Sequence, residues 1–180
     1  MYPISPFTSK HVWHNANFCN FILRNALSDL YSFCNCIIAG MPGVVCAVDG
    51  AHIAIIAPGH HHANYVNRKG FHRIVAQLIC DHKMMFMSIN VGWPGSVHDA
   101  RVFRTSRIGR RIISNTLLPA HFHLVGDAAY PLCTNLMTPL KDNYCQSSTR
   151  IVIERSIGQL KGRFRKLKML DCSQSKVQFY

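Results

Sequence analysis

The stretch VVCAVDG, Val44 to Gly50, decides how the chain folds. Its first five residues form a near-continuous β-favouring run, the pattern of a strand buried on both faces, and a glycine follows the aspartate directly. The reading is a buried strand that ends in an Asp49–Gly50 turn, with Asp49 at or near the strand's end. Working outward, further β-like runs cover Ile53 to Ile56, Phe71 to Cys80 (FHRIVAQLIC) and Met84 to Val91 (MMFMSINV). The last two are separated by Asp81, His82 and Lys83, so they are expected to form an antiparallel hairpin. WPGS at 93–96 interrupts it, and Val97 to Arg107 is expected to be helical. A basic segment (Arg107, Arg110, Arg111) leads to a strand ending in LVGD at 124–127. A short strand around Leu136 to Leu140 and a long helix from near Thr149 complete the order. Strand, hairpin, helix, strand, strand, helix describes an α/β domain in which helices pack on a mixed sheet. Upstream, Asn25 to Ile38 has the spacing of a short helix, with Leu27, Leu30 and Tyr31 on its apolar side.

The chain has 180 residues, within the range of one domain with a single core. Its 48% hydrophobic and 16% charged content exclude the low-hydrophobicity, high-charge class of disordered chains. Twenty Lys and Arg against eight Asp and Glu give a net charge of +12, which favours a polyanionic partner such as nucleic acid. Eight cysteines in irregular spacing include Cys34 and Cys36 as a CxC but no CxxC pair, so reduced, mostly buried thiols in an intracellular protein are the expectation over a zinc knuckle. His60, His61 and His62 read as a solvated loop. The N-terminus lacks a basic region followed by an apolar run, and the apolar stretch from Cys36 to Val48 is interrupted by Gly40, Pro42 and Gly43; neither secretion nor membrane spanning is expected.

With so few carboxylates, those inside apolar elements each ask for a reason. They are Asp49 after the first strand, Asp99 at the head of a helix, Asp127 after a later strand and Glu154, the chain's one glutamate. Phosphodiester cleavage uses such a set, because two divalent ions held by carboxylates activate the attacking oxygen and stabilise the leaving one. Hard ions take oxygen ligands. Each residue also has an ordinary reading: Asp49–Gly50 as a turn, Ser96 to Asp99 as a helix cap, Asp127 in GDAAYP as a turn before Pro131, and Glu154 as an exposed partner of Arg150 or Lys161.

The strings around these residues resemble the PIF/Harbinger group of DDE transposases and the harbinger transposase-derived nucleases. They are VDGAHI at 48–53, YVNRKGFH at 65–72, WPGSVHDARVFRTS at 93–106, GDAAYPL at 126–132 and RIVIERSIGQLKGRFRKL at 150–167. The resemblance implies a ribonuclease-H-like mixed sheet flanked by helices, a DDE nuclease core over residues 43–170, with 1–42 an N-terminal segment of unassigned role and 171–180 a short tail. It further implies that Asp49, Asp127 and Glu154 are the catalytic triad, that Asp99 is a further metal-associated carboxylate, and that Mg²⁺ or Mn²⁺ is the cofactor. The implied activity is DNA endonucleolysis in the nucleus, with a separate Myb-like DNA-binding protein supplying targeting; the alternative is an inactive derivative that binds DNA or protein. Arg68 and Lys69, in a turn, and Arg150, Arg155, Lys161, Arg163, Arg165 and Lys168, on or just after the last helix, are the expected DNA contacts.

Ile153, Ile157, Leu160, Phe164 and Leu167 form a separate apolar stripe expected to pack on the sheet. Three departures from the family pattern stand out. Ala51 and Ala129 replace the residues usual beside the first two aspartates, and the 26 residues between Asp127 and Glu154 make a shorter interval than the resemblance leads one to expect, which would draw Glu154 from the pocket. The chain is also expected to lack the family's N-terminal DNA-binding region and to end soon after the last helix.

Overall fold

The computed structural model describes residues 41–58, 62–139 and 144–170; the helix expected at Asn25 to Ile38 and the loop histidines His60 and His61 lie outside them. The described order is β1 (Val44–Ile55), a 3₁₀ turn (His62–Tyr65), β2 (Arg73–Cys80), β3 (Phe86–Pro94), α1 (Asp99–Thr105), α2 (Arg107–Ile113), β4 (His123–Val125), β5 (Leu136–Met137), α3 (Tyr144–Arg163), a second 3₁₀ turn (Arg165–Lys168) and β6 (Met169–Leu170). The strands lie in the order β3-β2-β1-β4-β5, with β6 also pairing to β1. β2 runs antiparallel to both of its neighbours, β1 and β3, whereas β4 and β6 run parallel to β1. A mixed sheet flanked by helices is therefore found as expected, consistent with a ribonuclease-H-like fold.

β1 alternates its side chains between two cores. Ala47, Ala51, Ile53 and Ile55 join Ile74, Ala76, Leu78 and Cys80 beneath Ile153 and Ile157 of α3. Val48 points the other way, into a cluster with Ile79, Phe103, Ile112, Leu124, Tyr130 and Leu136 under α1 and α2. Each large apolar side chain so buried contributes roughly 1.5–3 kcal/mol. The hairpin forms where the sequence put it: the Asp81 carboxylate accepts from the backbone N–H groups of Lys83 (2.9 Å) and Met85 (2.8 Å), and Met84 takes a positive φ of 63°. β3 runs on past Val91 to Pro94. It does so across a bulge at Gly92, the extra residue between the Ala76–Val91 and Val75–Trp93 pairs, whose φ of 104° is open to glycine.

Several expectations are corrected. β1 does not stop at Asp49: it is one strand of 12 residues, and Gly50 lies inside it, opposite Gln77. The reason is steric and tertiary, because a Cβ at Gly50 would collide with the Asp99 carboxylate. The helix expected over Val97 to Arg107 is two, broken where Ser106 takes an extended conformation and its hydroxyl caps α2 by accepting from the Gly109 N–H at 2.9 Å. The strand near Leu136 is only two residues long, and α3 begins at Tyr144, a turn before Thr149. Phe164 falls after the helix's last residue and is 60% exposed, so it leaves the apolar stripe, whereas Leu160 and Leu167 keep their places against the core.

Candidate active site

Parallel pairing brings two aspartates side by side. Ala47 of β1 stands opposite Val125 of β4, so Asp49 and Asp127, two residues further along each strand direction, reach the same height. On that edge of β1, β4 pairs with Val44 to Ala47 and β6 with Ala54 and Ile55, so the segment carrying Asp49 lies between the end of β4 and the start of β6. A crevice at the carboxyl end of a parallel strand is where open α/β sheets place their ligands.

Asp49 is half-buried, and its Oδ1 accepts from the Gly50 N–H at 2.8 Å. Asp127, also half-buried, uses Oδ1 to accept from the Ala129 N–H at 2.9 Å, so the turn read in GDAAYP is present at a residue that also borders the cluster. Asp99 enters from the other side of β1 as the first residue of α1 and fills the space over Gly50. Burial raises its pKa, the Asp127 charge raises it further, and His52 and His98 partly offset both. The Ser96–Asp99 cap is not formed: His98 occupies the cap position without a side-chain bond, and the Ser96 hydroxyl donates instead to the Asn64 carbonyl at 2.7 Å.

The raised Asp99 sets a pH dependence. A carboxyl whose folded pKa exceeds its unfolded value stabilises the fold fully below the unfolded pKa and loses that contribution as pH rises through the folded one. At neutral pH Asp99 is thus a cost in the metal-free protein. Asp99→Asn should raise the melting temperature at pH 7, and the gain should vanish below about pH 4, the ordinary carboxylate range. A lower melting temperature for the variant at pH 7 would contradict this.

Glu154 is not drawn into the group in the same way. It lies exposed on α3, on the flank it shares with Lys161. Lys161 is half-buried and its Nζ donates to the His52 carbonyl at 2.9 Å; burial lowers its pKa, Arg73 lowers it further and Asp49 opposes both. Seven residues back along the helix is about 10 Å, or about three strand residues, which puts Glu154 near the level of Asp49. Among the described residues no three Asp, Glu, His or Cys side chains converge closely enough to hold a metal ion in this arrangement. By kind the donors are those that suit a hard divalent ion, half-buried carboxylates, and the Asp127 charge acts unfavourably on Asp99.

Arg68 reaches from the turn at 67–70 to the His98 ring (Nη2 to Nε2, 2.8 Å), next to Asp99. That turn is held by the Asn67 carboxamide oxygen, which accepts from Lys69 and Phe71, and by Gly70 at φ 80°. Lys69, Arg155, Arg163, Arg165 and Lys168 are exposed; the side chain of Arg150 lies outside the described residues. The sequence reading assigned no role to His52, Gln77 or Tyr130. His52 lies within quoted VDGAHI; burial lowers its pKa, with Asp99 acting in the opposite sense, and its Nδ1 is buried without a hydrogen-bond partner. Gln77 was visible as the one polar residue in IVAQLIC, and Tyr130 within GDAAYPL. No described helix is long and apolar enough to cross a membrane.

A family model described as DDE superfamily endonuclease matches residues 48–178. The chain is 37% identical over 151 residues to "Putative nuclease HARBI1" of Rattus norvegicus and 36% identical to its Homo sapiens counterpart, covering 79% of this chain and 42% of each relative. "Protein ALP1-like" of Arabidopsis thaliana is 27% identical over 152 residues, 71% of this chain and 37% of that protein. The chain thus spans less than half the length of these relatives. No solved structure gives a significant match.

Proposed function

The chain belongs to the DDE superfamily endonucleases, and from that premise we propose that it is a divalent-metal-dependent endonuclease acting on DNA phosphodiesters. The observation that carries the proposal is the parallel β1–β4 register that brings Asp49 and Asp127 to one level, with Asp99 over the neighbouring Gly50, where burial and the Asp127 charge raise its pKa. Asp49, Asp127 and Glu154 are the proposed catalytic residues, and with Asp99 they would hold Mg²⁺ or Mn²⁺. The ions would supply Lewis acidity at the phosphate and an activated water or 3′-hydroxyl. Lys161, tied to the β1 backbone beside Asp49, would keep Glu154's flank of α3 over the strand. Arg68 would meet a phosphate at the mouth of the site.

Nuclear residence and targeting by a separate Myb-like DNA-binding protein belong to the same proposal. Two observations favour a second reading, a catalytically silent DNA- or protein-binding derivative: Glu154 is exposed, and no three ligand side chains converge among the described residues. Purified protein with Mn²⁺ and supercoiled DNA decides between them. Nicking supports the endonuclease, and binding without nicking supports the silent derivative.

DNA affinity should fall steeply with salt, since each phosphate neutralised by Lys or Arg releases counterions with a slope of about −0.9. Arg163, Arg165 and Lys168 are exposed together at the end of α3 and just beyond it, so replacing all three by Ala should flatten the slope by about 2 to 3 in titrations at several salt concentrations. An unchanged slope would place the DNA surface elsewhere.

A further inference from the structure

β3 lies at the end of the sheet: among the described residues it pairs with β2 alone, so one side of a strand of 9 residues has no ladder partner. Ile89 and Val91 stand opposite Leu78 and Ala76 of β2. Those two partners are buried in the core under α3, whereas Ile89 is 51% and Val91 37% exposed, and Met85, just ahead of the strand, is 63% exposed. Residues 84–94 contain no Lys, Arg, His, Asp or Glu, in a chain whose net charge is +12. Sheet edges are normally guarded by charged side chains, so a charge-free edge with exposed β-branched residues marks a surface that another strand covers. The order of its side chains says which. From Met87 to Trp93 the sequence Met-Ser-Ile-Asn-Val-Gly-Trp is nearly symmetric about Asn90, with β-branched residues beside it, then small ones, then large ones. Such a strand matches its own copy when the two run antiparallel, because a two-fold axis pairs residue i with j and j with i. With the axis at Asn90, Ile89 of each copy meets Val91 of the other, Ser88 faces Gly92, and Met87 faces Trp93. An axis at Ile89 or Val91 would set the other of the two against Met87 or Trp93 and lose that match.

We propose that β3 is the surface on which two copies of this chain associate, joining antiparallel about Asn90 so that their sheets become continuous. Charge supports a second copy over other occupants. The net +12 of each chain opposes self-association wherever basic side chains would face each other, and β3 is an edge where none do. The same neutrality gives neither DNA nor an acidic protein anything to pair with there. One strand and two exposed apolar side chains from each copy make an interface small beside the roughly 1,200–2,000 Å² of stable complexes, so the dimer should dissociate at concentrations on the order of 10 μM. The inference rests on this edge alone and is independent of the nuclease reading.

Analytical ultracentrifugation of the purified full chain over about 1 to 200 μM tests it, with the wild type beside Ile89→Lys and Val91→Lys. The expected result is a concentration-dependent dimer in the wild type and a dissociation constant at least about tenfold higher in each variant, since an edge lysine sets a charge against the apolar residue of the other copy. Both positions are exposed, so circular dichroism should show the fold unchanged. Should a lysine variant fail to fold, Asn90→Cys carries the test. Its thiol would stand opposite its own copy at the axis, and oxidised glutathione should then give far more disulfide-linked dimer than in the wild type. Three results would overturn the inference: a wild type that stays monomeric throughout, a dimer that both lysine variants leave unaltered, or Asn90→Cys linkage no greater than the wild type's. The first leaves the edge to a different chain or to none, and the other two place the contact between copies elsewhere.

Discussion

Asp49→Asn should lower the rate of Mn²⁺-supported nicking of supercoiled DNA by about three orders of magnitude or more while leaving the fold intact. Removing a carboxylate from a metal-assisted phosphoryl site forfeits several kcal/mol of transition-state stabilisation, and each 1.36 kcal/mol is about tenfold in rate. The fold should survive because Asn is nearly isosteric and its side-chain oxygen can still accept from the Gly50 N–H, the bond Asp49 makes at 2.8 Å. Asp49 is half-buried midway along β1 between two cores, so no packed apolar contact is lost. Nicking rates and circular dichroism on the two proteins check both halves. A variant that nicks within tenfold of the wild type would remove Asp49 from the reaction.

The largest effect on stability is expected from Phe103→Ala. Phe103 is fully buried, packs edge-on against Tyr130 and sits in the core that holds α1 and α2 to the sheet. Its backbone carbonyl also fills the space where a Cβ on Gly109 would stand, so the two short helices close on each other at this residue. Truncating a buried phenylalanine costs about 3–5 kcal/mol, a large share of the roughly 5–15 kcal/mol that holds a domain folded. Urea unfolding monitored by fluorescence should show the loss as a lower midpoint. A cost below about 1 kcal/mol would mean that the α1–α2 layer is not packed on the sheet as described.

What the sequence made legible follows from how local each cause is. The β2–β3 hairpin could be read because its turn is held by a neighbour, the Asp81 carboxylate two and four residues from its donors. β1 was misread at Gly50 because the cause is distant: glycine is there to admit the carboxylate of Asp99, not to turn the chain. Ser106 likewise ends one helix and caps the next, which the apolar spacing of 97–107 does not reveal. β6 is two residues in a lysine-rich stretch, and only its pairing to β1 makes it a strand.

The carboxylates stood out as the few acidic residues in or beside apolar elements, and the strings that resemble a family gave them their roles. That Asp49 and Asp127 reach one level depends on the parallel β1–β4 register, a long-range fact with no local signature. Lys161, read as a DNA contact, is half-buried and bonded to the β1 backbone, which residue type could not have told apart from an exposed cation.

The central claim, that these carboxylates form a divalent-metal site completed by α3, is tested most directly by the Mn²⁺-induced rise in melting temperature of the wild type against Glu154→Gln. Without metal the two should melt alike, within about 0.5 kcal/mol, because Glu154 is exposed on the helix. With saturating Mn²⁺ the wild type should gain stability by mass action and Glu154→Gln should gain clearly less. An identical Mn²⁺-induced rise in the two proteins, or none in either, would contradict the account.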